Sequence, residues 1–262
     1  MKQIKLLILG CGPAGLFAAQ AAVHENASVA LVSRKRPSQL FGAQYLHEPI
    51  PGLTNEPPVT VEYRLDGSPD EYRKKVYGEQ RVTVSPESLP ERHQAWDIRH
   101  TYEYAYAAFE SQIQDYQIRG GDDLQAAIDV LKPDMVINSI PRPLICIEED
   151  HTFGSQEIWA QGDAPELDKW SIARPPLNTV LCNGETSPGW YRASNVFGYC
   201  TTEWSGDKKP PFEGVAQVTK PIKTTCDCLP NVNHVGRYGR WTKGVLSHEA
   251  YAETRKLIQE IK

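Results

Sequence analysis

Gly10, Gly12 and Gly15 have the spacing and the neighbours of a phosphate-holding turn. They lie in LLILGCGPAG, residues 6–15, where an apolar run enters the turn and LFAAQAAVHE leaves it as a helix. A strand before such a turn and a helix after it make the spacing a dinucleotide fingerprint; the glycines alone would not. Gly10 allows the tight turn, Gly12 lets the backbone approach a pyrophosphate, and Gly15 lets helix and strand pack. Pro13 and Ala14 open the helix, whose first N–H groups have no partner in the helix itself and face an anion. Pro13 loses nothing there, because a first-turn residue needs no N–H donor.

The next strand, SVALVS, ends at Ser33, where an acid commonly holds the adenosine ribose. Arg34, Lys35 and Arg36 follow. Three readings stay open. The bases could meet the 2′-phosphate of NADP, Ser33 could hold the ribose of FAD, or the charges could form a solvated loop.

Further polar groups could serve a substrate. His47, beside Tyr45 in QYLH, titrates near neutral pH and could move a proton. Arg99, in WDIRH, could clamp a carboxylate or phosphate, with Asp97 capping the helix. Arg192, in WYRASN, lies in an aromatic run read as a sheet edge. Cys226-Asp227-Cys228 with His234 raises a zinc reading, but one residue between cysteines is tighter than the usual zinc spacing. With no second close pair, the six cysteines are read as free thiols and no metal is expected.

The elements that position these groups follow from periodicity. DDLQAAIDVL (122–131) reads as a helix ended by Lys132-Pro133, and DMVINSIPRP as the strand that returns to the first sheet. Residues 96–118 read as one helix with Tyr102, Tyr106, Phe109 and Ile113 on its apolar face. PVTVEYRL and QRVTVS read as strands in an insertion, and residues 148–225 as an antiparallel lobe. A last helix begins at Val245, with Leu246, Ala250, Leu257 and Ile261 on its buried side. The expected fold is α/β: a Rossmann-like FAD-binding domain with a parallel sheet, plus a smaller antiparallel substrate lobe. Its parts are a dinucleotide domain (1–44, 119–147, 226–262), an inserted lid (45–118) and the substrate lobe (148–225).

Net charge −5 and a pI near 5.8 argue against bulk nucleic-acid or membrane binding. No apolar run reaches the roughly 20 residues of a membrane span, and the first apolar stretch lacks a cleavage site, so a cytoplasmic protein is expected.

Four separated segments resemble the glutathione-reductase-type FAD-binding fold: the fingerprint, DMVINSIP, the middle lobe and GRYGRW. Within that fold they are most similar to the amine oxidase, protoporphyrinogen oxidase and UDP-galactopyranose mutase group. The resemblance implies that Gly236-Arg237, on a last strand, runs under a flavin. It further implies that Trp241 packs beside the ring, that Gly244 and Val245 start the final helix at the cofactor, and that Gly42, Ala43 and Gln44 touch pyrophosphate and flavin. Ser33 departs from the family's acid, and the short chain speaks against mutase activity. The implied activity is an FAD-dependent oxidoreductase or lyase. It would remove a hydride from a C–N or C–H bond of a small amine or amino-acid-like group, including one on a modified nucleobase. An NADP-dependent reductase and a non-catalytic nucleotide-binding module are the alternatives.

Overall fold

A computed structural model describes residues 3–78, 91–161, 172, 174–187, 189–206, 209–210 and 213–262. The strand-like run QRVTVS (80–85) lies outside the described residues. The chain builds two sheets and crosses between them twice in each direction. It starts as β1 (Lys5–Leu9), α1 (Pro13–His24) and β2 (Ser28–Ser33). A first excursion adds β3 (Val59–Gly67), α2 (Pro69–Tyr77) and β4 (Glu91–Ala95). The return gives α3 (Ile98–Phe109), β5 (Ile113–Asp115), α4 (Gly121–Leu131) and β6 (Met135–Asn138). A second excursion lays down β7 (Phe153–Gln161), β8 (Thr179–Gly184), β9 (Trp190–Val196), β10 (Tyr199–Ser205) and β11 (Val215–Thr224). The chain ends with β12 (Val232–His234), α5 (Gly236–Arg240) and α6 (Glu249–Glu260).

The first sheet has the order β12-β6-β1-β2-β5, and every pairing is parallel. It is buried on both faces, which is why β1 is apolar at every position after Lys5. Leu6 and Ile8 pack in one cluster with α1, α3 and α6, while Leu7 and Leu9 pack in another with Leu124 and Ile128 of α4. The second sheet has the order β11-β7-β10-β9-β8-β3-β4. It is antiparallel except where β3 runs parallel to β8, so both excursions share one mixed, seven-stranded sheet. The segment read as an insertion thus serves both layers: β3 and β4 extend the second sheet, α3 packs beside α1, and β5 edges the first sheet.

Three local expectations change. The helix read across 96–118 stops at Phe109, and Ile113 is buried as a strand residue paired with Leu31. Sheet pairing to β2 takes the chain there over the helical period. β9 is interior, between β10 and β8, and not an edge. The last helix begins at Glu249 instead of Val245, and its buried face is Ala250, Tyr251, Thr254 and Ile258, with Ile261 exposed. Packing against α1 sets that face; both helices contribute to the same apolar cluster. No helix among the described residues is long and apolar enough to cross a membrane.

A polar latch joins the end of α1 to α6 and the residues after it. Arg255 Nε (3.0 Å), Gln259 Nε2 (2.9 Å) and Lys262 Nζ (2.9 Å) all donate to the carboxylate of Glu25, at the end of α1. Hydrogen bonds from Lys262, Arg255 and Gln259 hold the Glu25 carboxyl at about 2, below its ordinary 4.5. Such a group adds stability above the unfolded pKa and loses it as pH falls toward the folded one. Arg255 and Lys262 remain partly exposed, so screening limits the latch to roughly 1 kcal/mol. Urea unfolding should show Glu25→Gln less stable than wild type by about that amount at pH 7, with the difference closing between pH 4.5 and 2. A difference independent of pH would show that the carboxylate charge is not what latches α6.

Candidate functional site

The glycine turn sits where neighbouring strands diverge. From β1 the chain proceeds to β2 on one side, and the later connection returns to β6 on the other, which opens a crevice at the strand ends. Gly10 has φ +98°, and a Cβ there would lie 2.6 Å from Ser139 Oγ. Ser139, in the loop after β6, donates its hydroxyl to the Leu9 carbonyl at 2.7 Å, so the two loops are stitched together. A methyl at Gly15 would overlap the Gly10 carbonyl oxygen. Gly12 differs: its nearest neighbour would be Ser38 Oγ at 3.5 Å, ordinary contact. No side chain caps α1, and Pro13 occupies its first turn. The first N–H groups of α1 are therefore left to an anion.

At the ribose corner, Ser33 Oγ accepts a hydrogen bond from the Cys11 N–H at 3.2 Å and keeps its own proton to donate. Arg34, Lys35 and Arg36 are exposed. The carboxylate at this corner comes from a different strand: Asp115, at the end of β5, accepts the Lys35 N–H at 2.9 Å. The buried hydroxyl of Tyr102 donates to the Cys11 carbonyl (3.0 Å) and accepts from the Ser38 N–H (2.7 Å). Tyr102 thus clamps the glycine turn to the loop after β2. Sequence periodicity marks it only as apolar.

Residues 41–44 run between the layers. Gly42 is buried with φ +72°, and a Cβ there would lie 2.8 Å from Glu203 Oε1. Arg99 is buried under this stretch, donating to the Gly42 carbonyl at 3.0 Å and the Gln44 carbonyl at 3.4 Å. Its guanidinium stacks 4.6 Å from the Tyr199 ring centroid. Arg99 therefore positions the loop. Asp97 caps α3 by accepting the Arg99 and His100 N–H groups. Ala43 packs against the core of the second sheet, and Gln44 donates to the Phe41 carbonyl at 2.7 Å.

Glu203 belongs to a buried charge cluster that sequence reading did not single out beyond Arg192. Arg192 Nη1 (2.8 Å) and Lys220 Nζ (2.6 Å) both reach its carboxylate. Arg192 also donates to Tyr72 Oη at 2.7 Å, and Lys220 to Tyr191 Oη at 2.9 Å. Burial pushes the Glu203 carboxyl up, but Lys220 and Arg192 outweigh it and hold it at about 2. Burial lowers Lys220 to about 8 against the pull of Glu203. At pH 7 the cluster therefore carries one more positive than negative charge. The Arg192 Nε is buried without a partner. A charged residue facing inward from β10, TTEW, was the available signal.

Tyr45 and His47 join a second group. The rings of Tyr45 and His47 stack at 4.7 Å, and His93 (5.0 Å) and His248 (5.9 Å) approach the His47 ring. Burial, and then the two neighbouring histidines, lower the His47 pKa, so the ring is neutral at pH 7. It can accept a proton or a hydrogen bond there but does not serve as a standing acid. His93 comes from β4 and His248 from the turn before α6, too far apart in sequence for spacing to connect them.

The C-terminal segment returns to the glycine turn in a form that differs from the expectation. Gly236 and Arg237 open the short helix α5, not a strand; the strand ends at His234. Gly236 has φ +67°, and a Cβ there would stand 2.5 Å from Ala14 Cβ. Arg237 Nη2 donates to the Pro221 carbonyl at 3.0 Å and Tyr238 Oη to the Thr219 carbonyl at 2.8 Å, both on β11. Trp241 is buried edge-on to Phe153 at 5.9 Å, its Nε1 without a partner. Gly244 is exposed with φ +87° and Val245 is half-buried, both ahead of α6.

No protein-family model and no curated protein matches the chain. Solved structures do. p-Nitrophenol 4-monooxygenase from Pseudomonas putida superposes with a TM-score of 0.54 at 10% identity, over 100% of this chain and 82% of that one. An inferred FAD-containing monooxygenase from Photorhabdus luminescens gives 0.51 at 10% identity, over 99% of this chain and 88% of that one. At these identities the likeness establishes the fold, that of FAD-binding flavoproteins.

The glycine turn separates packing from binding. Gly15→Ala forces backbone apart and should lower stability in urea by about 1–3 kcal/mol. Gly12→Ala should stay within about 0.5 kcal/mol of wild type. Equal losses would show that Gly12 is also needed for packing.

Proposed function

We propose that this chain is an FAD-dependent oxidoreductase acting on a small substrate at the junction of the two sheets. The contact of Gly236 with Ala14 carries this reading, because it brings the last segment of the chain to the first turn of α1. The residues present fit the cofactor: an uncapped helix start, a glycine with space in front of it, and a serine hydroxyl free to donate. Gly12, Pro13, Ala14 and Gly15 would hold its pyrophosphate, and Ser33 its ribose. Gly42–Gln44 and Gly236 would border its ring system. When bound, FAD supplies the redox chemistry by accepting an electron pair from the substrate.

The chain's own residues supply binding and protons. The surplus positive charge of Arg192, Lys220 and Glu203 next to Gly42 favours a negative group, such as the carboxylate of an amino-acid-like substrate. Glu203 holds the two cations in place. Neutral His47 is placed to accept a proton. This supports hydride removal from a small amine or amino-acid-like group. A second reading, oxygen insertion into the substrate, is favoured by the monooxygenase descriptions of the superposed proteins.

The absorption spectrum of the purified protein tests the proposal. A flavin spectrum is expected for wild type and for the apoprotein reloaded with FAD, and Gly12→Val should abolish it while remaining folded. A folded wild-type protein that binds NADPH but takes up no FAD would overturn it. Once flavin is bound, bleaching by an amine under anaerobic conditions without NAD(P)H supports hydride removal. Bleaching only by NAD(P)H in the presence of substrate supports the second reading.

A further inference from the structure

Cys226 and Cys228 are close in sequence, and the fold brings two more donors to them. They are Cys146 and His151, not the His234 that the sequence offered; His234 Nδ1 lies against Asn138 Nδ2 at 3.1 Å. The three sulfurs and a ring nitrogen of His151 all lie within 4.8 Å of one another. Cys226 Sγ is 3.5 Å from Cys146 Sγ and 3.5 Å from Cys228 Sγ, Cys228 and Cys146 are 3.7 Å apart, and His151 Nδ1 is 3.2 Å from Cys146 Sγ. We propose that Cys146, His151, Cys226 and Cys228 form a structural zinc site.

The distances fit the ion. A tetrahedral zinc with sulfur at about 2.3 Å and nitrogen at about 2.0 Å sets its thiolates roughly 3.8 Å apart and a thiolate and imidazole roughly 3.5 Å apart. Packed thiols alone would explain the sulfur spacings, but not the surroundings. His151 turns its other nitrogen, Nε2, toward the exposed carboxylate of Asp227, with Oδ1 at 3.4 Å, on the side where a ligating histidine takes its carboxylate partner. Asp227 is the single residue between the two paired cysteines. Three thiolates and an imidazole are a donor set that selects zinc among common divalent ions. Four protein ligands leave no open position, so the role is structural.

The place explains the use. Cys146 and His151 lie on the connection from β6 to β7, and Cys226 and Cys228 on the connection from β11 to β12. These connections carry the chain out to the second sheet and back. Beside the cluster threonines join them, with the Thr152 N–H on Thr225 Oγ1 at 2.9 Å and Thr224 Oγ1 on the Thr152 carbonyl at 2.9 Å. A zinc there would staple both crossings at one point. Binding must displace the protons of all three thiols, so affinity falls as pH drops.

Elemental analysis of the full-length protein, purified under reducing conditions from zinc-supplemented cells, tests this. About one zinc per chain is expected, with cobalt exchange giving the visible bands of a tetrahedral thiolate site. Asp227→Asn, which keeps every ligand, should weaken zinc by about 10–100-fold in a chelator competition. Cys228→Ser should lose the metal, while Cys200→Ser, a buried cysteine elsewhere, should keep it. Reduced wild-type protein that takes up no zinc, zinc retained equally by Cys228→Ser, or a disulfide among these cysteines found by mass spectrometry would each overturn the proposal. Should Cys228→Ser fail to fold, the wild-type stoichiometry and the Asp227→Asn competition still decide it.

Discussion

The molecule is organised by a steric constraint at the end of β1, where three segments meet too closely for side chains. Gly10 lies against Ser139, Gly15 against the Gly10 carbonyl, Gly236 against Ala14, and Gly239 against the Asn138 carbonyl. Three of these contacts link segments that sequence keeps apart: the first strand and its helix, the loop after β6 and the helix after β12. Gly15 and Gly239 meet backbone carbonyls, an approach that no rotamer change can relieve, so these two positions fix how closely α1 and α5 sit on the strand ends. The crevice at the strand ends, where an anion can meet the start of α1, is a consequence of that geometry.

The junction with the second sheet is held by polar groups instead. Arg99 satisfies two carbonyls of the 42–44 stretch, and Arg237 satisfies Pro221 across the gap. Glu203, Arg192 and Lys220 form a buried set in which removing Glu203 would leave two buried cations without their counter-charge. Breaking such a set is strongly destabilising, whereas its presence adds little net stability over an apolar replacement.

Much of the first layer was legible in the sequence because its signals are local. The apolar run of β1, the glycine spacing, the Asp97 cap and the β-branched strand before Ser139 each depend on neighbours within a few residues. What stayed hidden depends on partners distant in sequence. Residues 96–118 carry a helical period, yet the chain leaves the helix at Phe109 because β2 offers Ile113 a strand partner. GRYGRW was placed at the cofactor crevice, but its Gly-Arg pair opens a helix because Gly236 must turn over Ala14. Glu203 and Lys220 looked like strand polar residues, and only the sheet order shows them meeting. Cys146 and His151 stand far from Cys226 in the chain, so spacing alone argued against a metal.

In the function proposed for this chain, the glycine turn and the C-terminal segment serve one cofactor. Hydrogen–deuterium exchange of the full-length protein with and without FAD measures this directly. The account requires that amides of residues 11–16 and 235–241 slow together when FAD is added, while the exposed surface of α4 does not change. Slowing of residues 11–16 alone, with 235–241 exchanging as before, would contradict it and leave α5 as no more than a cover on the sheet.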